Sequence, residues 1–326
     1  MASPNATFTE LVSTTWRKHR KEITDNVSKH NALLRRIKSK GNTRTEDGGL
    51  TIVEPLDYAE NNTYQRYSGY DVLNIGASDV ISAAEYAWKQ IAINVVASGL
   101  EMRQNSGDSR IINLVKARMK NAMRTFKNNF SRDLYSDGTL PNQITGLQAL
   151  VADNGQGTIG GINSATWEFW RNKVQDANTP IGGGAGAKIS KDNIEKYMLS
   201  LWIELTRGSD QPDMIVMSNE FYELFEQSQL SIKRYTDETK ANGGFVSLKY
   251  KSCDVFFDGA SGMPPKHAYF LNTDYLKLVV HKDANLKTLD EVRPYNQDAA
   301  VIPILWQGNL TCSNRQLQGV MIDTTN

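Results

Sequence analysis

Residues 182–190 read GGGAGAKIS, a glycine-rich run carrying one lysine, and phosphate binding is the first chemistry to test there. A phosphate loop needs glycine directly before the lysine and Ser or Thr directly after it, so that backbone amides cradle phosphates while the hydroxyl binds the metal. Ala187 and Ile189 occupy those two places instead. The dinucleotide pattern G-x-G-x-x-A is met by Gly182, Gly184 and Ala187, but the sequence shows no convincing strand before it, and the run is read as a surface loop. The histidines His19, His30, His267 and His281 lack H-E-x-x-H or any paired-ligand spacing, and there is no G-x-S-x-G elbow. Cys253 and Cys312 lie far apart in strand-like segments, which predicts buried free thiols rather than a disulfide or metal site. The acidic pairs Asp57/Glu60 and Asp290/Glu291 read as solvated surface. The sequence thus predicts a non-enzymatic protein with no catalytic, cofactor-binding or metal-binding residues.

The 326 residues are long enough for a sizeable core, and 40% hydrophobic with 22% charged residues is the composition of a globular chain. No run approaches the roughly 20 apolar residues that cross a bilayer, and MASPNATFTELVSTTWRKHRK has no signal-peptide core, so the expected place of synthesis and residence is a cytoplasm. The net charge of +1 is unevenly spread: residues 1–44 carry +7 and the remainder −6. A basic arm of this kind can meet either the acidic body or nucleic acid.

Apolar residues from Phe8 to Ile37 recur mostly at spacings of three and four, predicting an amphipathic helix or helix pair. KGNTRTEDGG, Lys40 to Gly49, breaks that pattern and reads as a linker. From Gly49 to Leu100 come short β-prone runs (LTIVEPL, TYQRY, DVLNIG, IAINVVA) interrupted by Pro55 and by the NNT and SGY turns, which predicts an extended two-stranded excursion. A two-stranded ribbon is marginal alone in water and needs a surface to lie on. Between Ser109 and Gly138, Ile111, Val115, Met119, Ala122, Phe126, Phe130 and Leu134 step by three or four, the single face of one long helix. Lys116, Lys120, Arg124 and Lys127 form a basic stripe beside it. Beyond the glycine loop, helices (DNIEKYMLSLWIELTRG, NEFYELFEQSQL) mix with strands (DMIVMS, FVSLKY, CDVFFDG, AYFLN, LKLVVH, AAVIPILWQGNLTCS) without a strict βαβ rhythm, so the fold class is α+β.

This order of parts, with NQITGLQALVAD and TIGGINSATWEFWRNKV after the long helix and PDMIVMSNEFYELF in the α/β part, resembles the HK97-like major capsid proteins of tailed bacteriophages. The resemblance covers nearly the whole chain. It implies an N-terminal arm (1–48), an extended β-hairpin loop with flanking strands (49–100), and a peripheral domain with a spine helix (101–187, helix 109–136). An axial domain (188–295) and terminal strands returning to the peripheral domain (296–326) complete the expected plan.

The implied function is structural: self-assembly through hexamers and pentamers into an icosahedral head shell around double-stranded DNA, or, alternatively, the shell of an encapsulin-like nanocompartment. The resemblance assigns Lys116, Lys120, Arg124, Lys127, Arg17, Lys18, Arg20, Lys21, Arg35 and Arg36 to a lumenal, DNA-facing role through sequence-independent phosphate contacts. It assigns Tyr58, Tyr64, Arg66, Tyr67 and Tyr70 to inter-subunit contacts of the extended loop, where aromatic rings bury large area. Loop and arm are expected to flex about Gly48, Gly49, Gly69, Gly76 and Gly99. No lysine lies between Lys40 and Lys89, so covalent cross-linking through the loop is not expected. Expected partners are other copies of the chain, portal and scaffolding proteins, a decoration protein and packaged DNA, with no membrane and no cofactor. The expected location is the virion, after assembly in the bacterial host cytoplasm.

Overall fold

The computed structural model describes residues 32–104, 114–229, 248–258 and 262–325. The chain begins with α1 (Ala32–Ser39), β1 (Thr43–Glu46), β2 (Thr51–Asp57), β3 (Ile81–Ala87) and β4 (Lys89–Ser98), then α2 (Gly99–Gln104), α3 (Leu114–Asp133) and α4 (Leu147–Leu150). The short pair β5 (Thr158–Ile159) and β6 (Ile162–Asn163) precedes β7 (Lys173–Asp176), α5 (Ile194–Glu204), β8 (Met214–Met217) and α6 (Asn219–Ser228). The last part is β9 (Leu248–Tyr250), β10 (Cys253–Phe257), β11 (His267–Leu271), β12 (Leu276–Thr288), β13 (Ala299–Cys312) and β14 (Gly319–Ile322).

Two larger sheets organise these elements, a four-stranded one ordered β1-β12-β13-β4 and a six-stranded one ordered β7-β14-β11-β8-β10-β9. Strand periodicity explains why the six-stranded sheet is buried on both faces. Along β8, Ile215 and Met217 meet Tyr197, Met198 and Leu201 of α5 and Phe221 and Phe225 of α6, while Met214 and Val216 join the opposite core. That second core runs through Phe126, Phe130 and Leu134 of α3 to Trp306 and Leu310 of β13. Phe126 stacks on Phe130 at 5.5 Å, and Phe130 meets the edge of Trp306 at 4.8 Å. The four-residue stripe of the long helix is therefore its core face, and residues 109–113 of the expected helix lie outside the described residues.

Three expectations change. The stretch read as a linker contains β1, which pairs in parallel with Leu278 to His281 of β12. Its alternation of Thr and charged residues suits an edge strand, but the pairing partner lies more than two hundred residues away, where local sequence gives no sign of it. TYQRY and DVLNIG enter no strand. A strand, β7, does precede the glycine loop; its sequence, KVQD, is too polar to announce itself.

Candidate assembly surfaces

The expected hairpin exists as β2 paired antiparallel with β3, and its lower part is docked on the body. Ile52, Leu56, Ala84 and Tyr86 are buried in the main core. Gly160, with φ +61°, lets the β5–β6 turn press against this base: an added Cβ would lie 2.8 Å from that of Ala84, and the Gly160 carbonyl accepts the Glu85 amide at 3.0 Å. Glu54 is buried, with Arg44 Nη1 donating to its Oε2 at 3.1 Å and Thr311 Oγ1 to its Oε1 at 3.0 Å. Tyr86 Oη donates to the Cys312 carbonyl at 2.8 Å. Burial and the nearby Cys312 push that phenol far above its ordinary range. Trp88 Nε1 donates to the Gly49 carbonyl at 3.0 Å, tying the chain that leads into β2 to the chain that leaves β3. Gly48 and Gly49 there adopt φ +152° and +114°.

Tyr58 marks the exit from the docked base. Its ring lies 5.7 Å from that of Trp167 and 5.6 Å from that of Phe169, so this candidate is held within its own chain. Beyond it, Tyr64, Arg66, Tyr67 and Tyr70 are exposed, and so are Val72, Leu73 and Ile75. The limbs of this tip are tied by side chains: Gln65 Nε2 donates to the Val72 carbonyl at 3.0 Å, and the Asn74 amide donates to Gln65 Oε1 at 3.0 Å. Tip and base are thus one hairpin with different architectures.

The basic candidates divide. Lys120 and Lys127 are exposed on α3, Arg124 is half-buried, and Arg35 is exposed on α1. Arg36 pairs with Asp254 at 2.8 Å and lies over the Phe256 ring, so its charge is engaged inside the chain. Arg17, Lys18, Arg20 and Lys21, and the side chain of Lys116, lie outside the described residues. Further ion pairs, of Lys40 with Asp213 and of Arg44 with Glu46, fasten α1 and β1 to the body.

The glycine loop offers no anion cradle. The Ala187 amide donates to the Ala177 carbonyl at 3.1 Å, and the Ile189 amide to the buried carboxylate of Asp323 at 3.0 Å. The Asp323 carboxylate on the Ile189 amide and the Ala177 carbonyl on the Ala187 amide occupy the two donors that flank Lys188. Burial pushes Cys253 up to about 11 and Cys312 up to about 12, so both thiols stay protonated and inert at neutral pH. Among the described residues, no group of three or more potential ligands could hold a metal ion.

No protein-family model and no curated protein matches the sequence. Solved structures do match, over nearly the full length. A chain of the cyanophage A-1(L) capsid asymmetric unit superposes with a TM-score of 0.64 at 15% identity, covering 95% of this chain and 97% of that one. The chain has the HK97-like capsid fold. The capsid of Myoviridae phage XM1 matches with a TM-score of 0.55 at 10% identity, covering 93% and 95% of the two chains. The SrpI encapsulin complex of Synechococcus elongatus PCC 7942 gives 0.55 at 8% identity, covering 97% and 95%.

The sequence reading missed Glu54 and Arg315. Arg315 is fully buried and donates to the carbonyls of Leu150 at 2.7 Å and Trp170 at 3.1 Å and to Asn172 Oδ1 at 3.1 Å. It ties the segments at Leu150 and at Trp170–Asn172 to its own. Hydropathy pattern assigns such residues to the surface, and no local signal marks them as buried.

Proposed function

We propose that this chain is the major capsid protein of a tailed bacteriophage, a shell subunit that associates through hexamers and pentamers around double-stranded DNA. The observation that carries this reading is a capsid fold spanning nearly the whole chain, combined with a hairpin whose tip exposes tyrosines and aliphatic side chains that its own body leaves uncovered. Exposed apolar clusters of this kind mark interaction sites. In the shell, Tyr64, Arg66, Tyr67 and Tyr70 meet a neighbouring subunit, with Tyr58 supporting them from within. Lys120, Arg124 and Lys127 face the DNA, with Lys116, Arg35 and the basic arm. Residues 101–187 form the peripheral part and 188–295 the axial part. Portal, scaffolding and decoration proteins are the expected partners, the virion the expected location, and the host cytoplasm the site of assembly.

Negative-stain microscopy and light scattering of the protein, alone and with a coexpressed scaffold, test the reading. Closed shells, tubes or rings of five or six subunits support it; a monomer or dimer under both conditions overturns it. The similarity to an encapsulin supplies a second reading, a nanocompartment shell. Particles that retain a protein cargo and exclude nucleic acid would favour that alternative.

A further inference from the structure

A small polar cavity of about 120 Å³ opens where the hairpin base meets the body. Asp57 and Tyr58, at the end of β2, line it together with Phe169, Arg207, Asn314 and Gln316. Asn314 and Gln316 belong to the connection between β13 and β14. They flank Arg315, whose guanidinium is committed to Leu150, Trp170 and Asn172. A space of this size exceeds what a single water needs.

The polar groups of this cavity are uncommitted. Among the described residues, the side chains of Asp57, Asn314 and Gln316 have no hydrogen-bond or ion-pair partner. Arg207 is already engaged: its Nη2 lies 3.4 Å from Asp210 Oδ2, the oxygen to which Tyr275 Oη also donates at 2.9 Å. The free charge of the cavity is therefore the Asp57 carboxylate, and the amide oxygens of Asn314 and Gln316 add acceptors beside it. Tyr58 and Phe169 supply aromatic surface, their rings 5.6 Å apart and inclined by 31°. A carboxylate, amide oxygens and aromatic faces together suit a planar cation rich in N–H donors. Guanidinium presents its donors as a rigid fork in one plane and stacks on aromatic rings. An anion would meet the Asp57 charge, and a neutral group would leave it unanswered.

We propose that this cavity binds a guanidinium group, carried by a small solute or by an arginine side chain of another chain. Asp57 accepts its N–H donors, Asn314 and Gln316 take those that remain, and the rings of Tyr58 and Phe169 cover its face. The site is complete within a single subunit, so the proposal stands whether or not the chain builds a shell.

Titration of dispersed full-length subunits with methylguanidinium, followed through the methyl resonance of the probe by NMR, tests it. The expected result is saturable binding with a Kd on the order of 1 mM, accompanied by an upfield ring-current shift of that resonance. Methylurea, the neutral isostere, should bind about 10-fold more weakly or worse, and Asp57→Asn should weaken methylguanidinium by about 10-fold or more. Absence of saturable binding, equal affinity for the two probes, or unchanged affinity in folded Asp57→Asn overturns the proposal. If Asp57→Asn does not fold, the comparison of the two probes on the wild-type chain decides. Mass spectrometry then separates the sources: a guanidino solute released on denaturing the purified protein assigns a free ligand. Assembled particles that exclude the probe and release no such solute assign an arginine of a neighbouring chain.

Discussion

Strands β2 and β3 bury Ile52, Leu56, Ala84 and Tyr86 and pair the carboxylate of Glu54 with Arg44 and Thr311, whereas residues 58–80, continuous with them, leave Tyr64 82% and Ile75 93% exposed. The base obeys the rules of a domain interior, with apolar side chains packed and buried polar groups partnered. The tip beyond Tyr58 obeys those of an interface before its partner arrives: aromatic, apolar, weakly charged and tied by hydrogen bonds within itself. A substitution in the base should therefore register in the stability of the free subunit, and one in the tip in association.

The largest effect is expected at the buried ion pair. Glu54→Leu removes one acceptor each from Arg44 and Thr311, leaving Arg44 on Glu46 and Thr311 on the Lys277 carbonyl, and should lower the unfolding free energy of the subunit by about 2 kcal/mol in urea titration. An unchanged denaturation midpoint would show that the base is not integrated with the body. Next comes the triple variant Tyr64→Ser, Tyr67→Ser, Tyr70→Ser, which should keep subunit stability within about 0.5 kcal/mol and raise the concentration needed for assembly by about tenfold or more, read by light scattering. Loss of stability without loss of assembly would erase the distinction between tip and base.

Tyr58 sits at the boundary and sharpens it. Tyr58→Leu removes the aromatic contacts with Trp167 and Phe169 and should cost about 1 kcal/mol of subunit stability while weakening assembly less than the triple variant. The smallest effect concerns pH at the end of β4. Hydrogen bonding from Arg118, against the opposing effect of burial, holds the Glu101 carboxyl below its usual range. A group depressed in the folded state adds stability above its ordinary value and loses it as pH falls through the depressed value. Glu101→Gln should flatten that acid limb of stability by less than about 1 kcal/mol, measured by thermal melts from neutral pH down through the carboxylate range.

Legibility in the sequence followed how local each determinant is. The stripe from Met119 to Leu134 and the apolar runs MIVM and CDVFF announce their elements because each repeats at its own structural period within one segment. TYQRY announced a strand that the free chain does not make, since a strand needs an adjacent edge as well as propensity. β1 and β7 were unreadable for the opposite reason: TRTE and KVQD are polar and short, and distant β12 and β14 recruit them. Among candidate site residues, Arg36 and Tyr58 fit a surface reading by type, yet Asp254 and the Trp167–Phe169 pair engage them within the chain.

The sequence by itself determined the α+β class, the long helix with its core stripe, the two-stranded excursion and the weakness of any catalytic reading, because periodicity, turn residues and motif spacing are local properties. Only the tertiary structure decided where the hairpin stops being core and becomes exposed tip, and that Glu54 and Arg315 are interior. Those facts depend on which distant segments meet. Burial and hydrogen-bond satisfaction are properties of the assembled neighbourhood, which no single stretch of sequence contains.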